Sequence, residues 1–392
     1  MSLPDTERIL LGPGPSLIPP RVIRAMAAPV LSHLDPDFVP MLTEVSAALR
    51  RVFRTDDQAM TLATSGTGTS AMEAAVANVV SEGARGVVVV TGYFAERLAD
   101  MFGRYGARVR RIDVEWGRAV DPQRLRDELR REGADVVGMV HAETSTGVRN
   151  PIAELAAIVR EQNAVSIVDT VTSLGGHDVD MAGWGVDVAY SCAQKCIGAP
   201  SGIAPLAVSG PARRRLVKCR SFYFDLALLE DYWVRRKYHH TMCSSLVYAL
   251  REALRMIDEE GLEARHARHE RHHHAFAAAL EAMGLSLLPP AGERLWTLNA
   301  VRVPGGVDEA AVRRTLLNSF NIEVGAGLGP LAGRIWRVGL MGASSTPQTL
   351  LQFLAALEES LVLNGLRVPP GSGVAAASAA LRPQMANAMA NA

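Results

Sequence analysis

Between about residues 60 and 210, short apolar, β-branched runs alternate with stretches whose apolar positions recur every three or four residues. The runs predict strands over 86–91, 108–113, 135–141, 165–169 and 186–191, with a weaker one over 58–63. Several, such as Val87-Val88-Val89-Val90, are apolar throughout, as strands covered on both faces are. The intervening pattern predicts helices over 69–81, 93–105, 122–132 and 150–163. Pro122 and Pro151 stand where a first helical turn tolerates a missing N–H. Strand followed by helix in this order predicts an α/β fold: a mostly parallel sheet with helices on both faces.

From Ser244 to Gly284 the pattern is helical in two long segments broken at Gly261. Strand-like runs at 296–302 and 334–339 then point to a smaller α/β unit. The chain divides on this reading into an N-terminal arm (1–20), a large domain (21–261), a small C-terminal domain (262–366) and a tail (367–392). The tail opens on Pro-Pro-Gly-Ser-Gly and continues in Ala, Asn, Met and Ser, so it is expected to have little to bury and to be mobile.

Composition narrows the class. With 392 residues, 48% hydrophobic and 21% charged, the chain is neither disordered nor fibrous and is long enough for two or three domains. Lys+Arg and Asp+Glu are 41 each, so no overall field draws it to nucleic acid or to an anionic membrane, and neither is expected as a partner. No apolar run reaches the ~18 residues of a transmembrane helix, and the first residues lack a secretory pattern. The four cysteines (Cys192, Cys196, Cys219, Cys243) are too sparse for a disulfide framework and have no zinc-like spacing, so reduced buried thiols and a cytoplasmic location are expected. Of the 41 basic residues three are lysines, Lys195, Lys218 and Lys237, and the other 38 are arginines.

Ligands of parallel sheets collect at the carboxyl ends of the strands. Asp169 closes one predicted strand, Lys195 lies four residues beyond another, and His141 and Glu143 follow a third. A lysine at such a rim, desolvated by an apolar strand, becomes an amine nucleophile. With a carboxylate to keep a pyridine nitrogen protonated, it forms the arrangement a pyridoxal phosphate enzyme needs. The loop Thr64-Ser-Gly-Thr-Gly-Thr69 at a helix start would cradle the phosphate. Gly66-x-Gly68-x-x-Ala71 also fits a dinucleotide fingerprint, although the strand before it is weak and the next ends in Thr91 rather than an acid. Arg337, in an apolar run, is either a paired structural ion or a carboxylate clamp. Five of the ten histidines fall between His266 and His274. His266, His269 and His273 would share a helix face, but interleaved arginines disfavour a metal, and a solvated face with no metal site is expected.

Together these residues resemble a known family. Gly12-Pro-Gly-Pro15, His33-Leu-Asp-Pro-Asp37, Ser65-Gly-Thr-Gly68 and His141-Ala-Glu-Thr-Ser-Thr-Gly147 are followed by Val168-Asp-Thr-Val-Thr-Ser-Leu-Gly-Gly176 and Ser191-Cys-Ala-Gln-Lys195. Tyr238-His-His-Thr241 and Gly325-Ala-Gly-Leu-Gly-Pro330 with Arg337 complete the set. In order and spacing they are similar to the alanine–glyoxylate and serine–pyruvate aminotransferases, class V members of the fold-type I pyridoxal phosphate enzymes, over about residues 8 to 365. The resemblance implies pyridoxal 5'-phosphate as cofactor, Lys195 as the Schiff-base lysine and Asp169 as the partner of the pyridine nitrogen. It implies Val171 and Phe94 against the ring, Phe94 standing where many members carry Trp. Thr67, Gly68, Thr69 and Gln194 fall at phosphate positions, with Thr69 replacing a His of some relatives. Thr144 falls at a polar contact to cofactor and substrate, and Gly14 and Arg337 at the substrate, Arg337 for its carboxylate. Tyr238 and Thr241 would reach the phosphate of a neighbouring subunit, which implies a homodimer with shared sites. The implied activity is ping-pong transfer of an amino group from a small amino acid (alanine or serine) to a small keto acid (glyoxylate or pyruvate). Alternatives are another class V aminotransferase such as a ureidoglycine–glyoxylate transaminase, a different reaction on the same cofactor, a nucleotide-dependent oxidoreductase using residues 66–71, or a non-catalytic subunit. Desulfuration would need a reactive cysteine in the small domain, whereas all four cysteines precede residue 262.

Overall fold

A computed structural model describes residues 8–390, with side chains described through 382. Its centre is a seven-stranded sheet in the spatial order Met60–Gly66, Gly202–Val208, Val188–Tyr190, Val165–Asp169, Val136–Val140, Arg85–Val90, Arg108–Asp113. Gly202–Val208 is antiparallel to both of its neighbours; every other pairing is parallel. Six strands therefore point one way and end on one rim. The interior strands Val136–Val140 and Val165–Asp169 are buried at every position, which explains their unbroken apolar or small-residue runs. Helices Gly68–Val79, Tyr93–Arg104 and Ile152–Glu161 lay apolar stripes against the sheet. The predicted mostly parallel α/β fold is thus observed. The reversed strand Gly202–Val208 was not anticipated.

The sheet order disposes of the dinucleotide reading. The strands before and after the Gly68–Val79 helix are not neighbours: four other strands separate Met60–Gly66 from Arg85–Val90. A dinucleotide fingerprint belongs to a compact βαβ unit with adjacent parallel strands, and this loop is not part of one.

A second hydrophobic core lies around a three-stranded antiparallel sheet of Leu298–Arg302, Ile335–Gly339 and Gly325–Ala326. The chain start joins it: Ile9–Leu10 pairs in parallel with Ile322–Glu323, and Leu11 is buried in that core. Helices Ser244–Glu260 and Leu262–Ala282 meet at Gly261, whose φ of 79° is a left-handed conformation that glycine adopts without strain.

Two expectations about this half need correction. The histidine helix is no solvated face, because His266, His269, His272 and His273 are all buried and only His274 reaches solvent. Nor does the chain beyond Arg367 lack burial. Ser372–Ala390 forms a helix packed along Leu262–Ala282, burying Ala377 and Leu381. Glu358 fixes its start by accepting from the amides of Gly371 (2.9 Å) and Gly373 (2.6 Å). Residues 1–7 of the expected arm and 391–392 of the expected tail lie outside the described residues.

Candidate active site

Above the strand rim opens a cavity of about 560 Å³. Its lining brings together Thr67, Gly68, Thr69, Phe94, Thr144, Asp169, Val171, Gln194 and Lys195, nine positions singled out in the sequence. Met72, Arg97 and Ala142 complete it and were not singled out. Arg97 and Met72 stand one helical turn beyond Phe94 and Gly68–Thr69, a spacing that could have found them.

Each wall has a local cause. The Gly68–Val79 helix starts without a side-chain cap, so its first amides remain free to face an anion. A Cβ on Gly68 would come within 2.9 Å of Val171, so only glycine lets the loop close this tightly on the opposite wall. Phe94 is the second residue of the Tyr93–Arg104 helix, whose start is held by a buried carboxylate. Glu143 accepts from the amides of Phe94 (3.4 Å) and Ala95 (3.2 Å) and from Ser145 Oγ (2.6 Å). Arg97 donates to Thr69 Oγ1 (3.0 Å) and lies 5.2 Å from the Phe94 ring centre.

Asp169 is buried, with each carboxylate oxygen anchored once. Oδ1 accepts from the Val171 amide (2.8 Å) and Oδ2 from the Tyr190 hydroxyl (2.9 Å). Burial pushes its carboxyl up to about 7, against these two hydrogen bonds. Lys195 shares the cavity; burial holds its ammonium below the ordinary lysine range, and the charge of Arg337 acts in the same direction. Its Nζ donates to the Pro13 carbonyl. Gly14, at φ 111°, passes so close that a Cβ there would come within 2.8 Å of Lys195 Cε. Arg337 is buried next to this group, its Nε donating to the Ala326 carbonyl (2.7 Å) and Nη1 to Thr144 O (3.5 Å). The fork is thereby held from behind, leaving Nη2 for a ligand.

Tyr238 and Thr241 lie outside the cavity of their own chain, and both are exposed, Tyr238 by 62%. Cys192 and Cys196 are buried, whereas Cys219 is intermediate and Cys243 exposed, so the expectation of buried thiols holds for two of four. Among the described residues no group of His, Cys, Asp and Glu is arranged to hold a metal, and no helix is long and apolar enough to cross a membrane.

The Aminotransferase class-V family matches residues 8–334. The chain belongs to the class V aminotransferases. (S)-Ureidoglycine–glyoxylate transaminase of Bacillus subtilis is 36% identical over 393 residues, covering 94% of each chain. A crystal structure of ureidoglycine–glyoxylate aminotransferase from Bacillus subtilis superposes with a TM-score of 0.95, over 97% of this chain and 100% of that one, at 36% identity. Alanine–glyoxylate aminotransferase of Drosophila melanogaster is 36% identical over 365 residues, covering 91% of this chain and 92% of that one. The crystal structure of an alanine–glyoxylate aminotransferase from Nostoc sp. shares 46% identity at a TM-score of 0.89, over 92% of this chain and 98% of that one. As a class V aminotransferase of fold type I, this chain is an enzyme whose cofactor is pyridoxal 5'-phosphate.

The residues present fit that cofactor. Gln194 Oε1 is buried without a partner, so its side chain has hydrogen-bonding capacity left for a ligand. The uncapped helix start, the glycine-lined approach and an acid facing an amine across one cavity supply the remainder.

Proposed function

We propose that this aminotransferase transfers the amino group of a small amino acid, alanine or serine, to a small keto acid, glyoxylate or pyruvate, with donor and acceptor using one site in turn. The observation that carries the reading is the convergence of Lys195 and Asp169 on one cavity, with the Arg337 guanidinium oriented beside it. In this reading the amides of Gly68 and Thr69, with Thr67 and Gln194, hold the cofactor phosphate. Val171 and Phe94 take the two faces of its ring, Asp169 its nitrogen, and Thr144 its polar edge. The bound cofactor supplies an electron-accepting ring that stabilises negative charge at the substrate α-carbon. Arg337 binds the substrate carboxylate and sets the Cα–H bond toward Lys195. Nζ, whose charged form burial disfavours, accepts the donor's α-proton and, when the acceptor is aminated, delivers a proton to the acceptor's α-carbon. Gly14 and the Pro13 carbonyl crowd the amine, which favours substrates with short side chains.

A homodimer in the cytoplasm belongs to the same reading, with Tyr238 and Thr241 completing the site of the partner subunit. Their exposure, beside exposed Phe222, Tyr223 and Val234, supports it. Mixing Lys195→Ala subunits with Tyr238→Ala subunits should then restore activity, because each hybrid dimer contains one site with both residues intact.

The similarity to ureidoglycine–glyoxylate transaminases favours a second reading, with ureidoglycine as donor on the same machinery. A matrix of amino donors (alanine, serine, glycine, ureidoglycine, glutamate) against glyoxylate, pyruvate and 2-oxoglutarate separates the two. Faster turnover with glutamate than with any small donor, or with 2-oxoglutarate than with either small keto acid, would overturn both.

A further inference from the structure

Tyr190 stands opposite Asp169 in the sheet register, on the neighbouring parallel strand. Its side chain is fully buried, and its hydroxyl donates to Asp169 Oδ2 at 2.9 Å. A buried phenol needs a hydrogen-bond partner, and this one uses the carboxylate that faces the cavity. Burial pushes the phenol well above its ordinary range, so it remains a donor at every pH the enzyme meets. With Val171 N on Oδ1 and Tyr190 on Oδ2, the carboxylate cannot rotate without breaking a bond, and Asp169 lines the cavity.

We propose that Tyr190 is a positioning residue for the transamination: its hydroxyl orients the Asp169 carboxylate and favours its ionised form, so that it can pair with the protonated ring nitrogen of the cofactor. The inference rests on the reading of Asp169 as that nitrogen's partner. Other groups also face Asp169. Glu143, beyond the Val136–Val140 strand, disfavours its charge, while Arg97 on the Phe94 helix favours it. Lys195 and Cys192 follow the Val188–Tyr190 strand. None of these is hydrogen-bonded to the carboxylate, so Tyr190 is the side chain that controls its direction.

The test uses cofactor-free protein and 4-deoxypyridoxine 5'-phosphate, a ligand with the ring nitrogen and phosphate but no carbonyl to condense with Lys195. Fluorescence titration from pH 5.5 to 8.5 gives its affinity. In the wild type, affinity should fall as pH drops through the Asp169 titration, because a neutral carboxyl cannot pair with the ring N–H. Tyr190→Phe should move that fall upward by about one pH unit, weakening binding about 5-fold near pH 7 and about 9-fold at pH 6, while the two proteins draw together toward pH 8.5. Asp169→Asn should remove the carboxyl's share of the fall, leaving only that of the probe's own phosphate, which ionises a second time at about 6, and adding Tyr190→Phe to it should change nothing further. An unmoved midpoint, or a loss of equal size at every pH, would reduce Tyr190 to a packing residue and overturn the proposal. If Tyr190→Phe fails to fold, 3-fluorotyrosine incorporated at position 190 keeps the ring and strengthens the donor. The fall should then move to lower pH, and no movement overturns the proposal equally. A wild type whose fall is no larger than that of Asp169→Asn would instead sink the reading of Asp169 itself.

Discussion

Two groups of buried ionisable side chains can be compared in this molecule. One lines the cavity at the strand rim: Lys195 and Asp169, with Glu143 and Tyr190 behind them. The other is the row His266, His269, His272 and His273 on the Leu262–Ala282 helix. Burial pushes both groups toward their neutral forms, so a shifted pKa alone does not mark the functional one. What the side chains face does. His269 meets the Arg265 carbonyl at Nδ1 (2.8 Å) and accepts the Gly342 amide at Nε2 (3.0 Å); His272 meets Ser345 Oγ (2.9 Å), and His273 meets Asn299 Oδ1 (2.6 Å). These imidazoles join the helix to the adjoining loop and strand. Lys195 and Asp169 instead line open cavity space beside the unpartnered Gln194 Oε1, and that is the property of a site.

The strongest test of this contrast is at Lys195. Lys195→Arg keeps a cation but cannot act as the amine nucleophile and proton carrier, so turnover should fall by ~10³-fold or more while the protein still folds. Borohydride reduction of the loaded wild type should label one of the three lysines, Lys195, as peptide mapping would show. Transamination by Lys195→Arg at the wild-type rate would mean that the cavity is not the site. Next in size is Arg337→Lys, which replaces a held, planar fork by a point charge. Steady-state kinetics should show kcat/KM for amino acid donors reduced by ~10- to 100-fold, mostly through KM.

A third prediction uses the opposite signs of the two groups. In the cofactor-free chain Asp169 has its folded pKa raised to about 7 from an ordinary 3.8, so the folded state holds a proton that the unfolded state loses. Its burial therefore costs stability progressively as pH rises from about 4 to 7. Asp169→Asn should be stabilising relative to wild type by an amount that grows over that window, on the order of 2–4 kcal/mol at neutral pH. His273 has its folded pKa lowered to about 4 from 6.5, so below 6.5 the unfolded state gains a proton that the folded state refuses. His273→Gln should gain relative to wild type as pH falls from 6.5 toward 4, by roughly 1–3 kcal/mol. Urea unfolding across pH measures both slopes. Slopes of the same sign would dissolve the comparison.

What could be read in the sequence follows the same division. The rim was legible because a parallel sheet advertises itself: unbroken apolar runs mark strands, and chemistry sits where they end. Asp169, Lys195 and the 64–69 loop are placed by that rule; Arg337 stands out by its apolar run, and the family resemblance supplies its role together with Phe94, Val171 and Gln194. Tyr190 is invisible to it, because inside a buried strand a tyrosine reads as one more large apolar residue until its hydroxyl is seen on Asp169. The histidine helix misled for the complementary reason. Its arginines and histidines erase the 3.6-residue stripe, so its polarity reads as exposure although the chain packs both sides of it. The Ser372–Ala390 helix was hidden by composition. In an alanine-rich segment, two or three large side chains are enough to dock a helix against a ready surface, yet too few to create a detectable period.

That helix provides the most selective test, the one with the smallest expected effect on catalysis. Leu381 is 1% exposed within the core shared with Phe276, Leu280 and Phe353, and none of the four lines the cavity. Leu381→Ala removes buried methyl groups from a surface that cannot fully collapse, so unfolding free energy should fall by about 2–3 kcal/mol. If the Leu262–Ala282 helix is scaffolding, kcat and KM per folded molecule should stay at wild-type values, and the pH slope attributed to His273 should survive. A change in KM without loss of stability would mean that packing on this helix is transmitted to Gly342. The loop there lies against the Lys195 and Cys196 carbonyls, so the histidines would then bear on the amine itself.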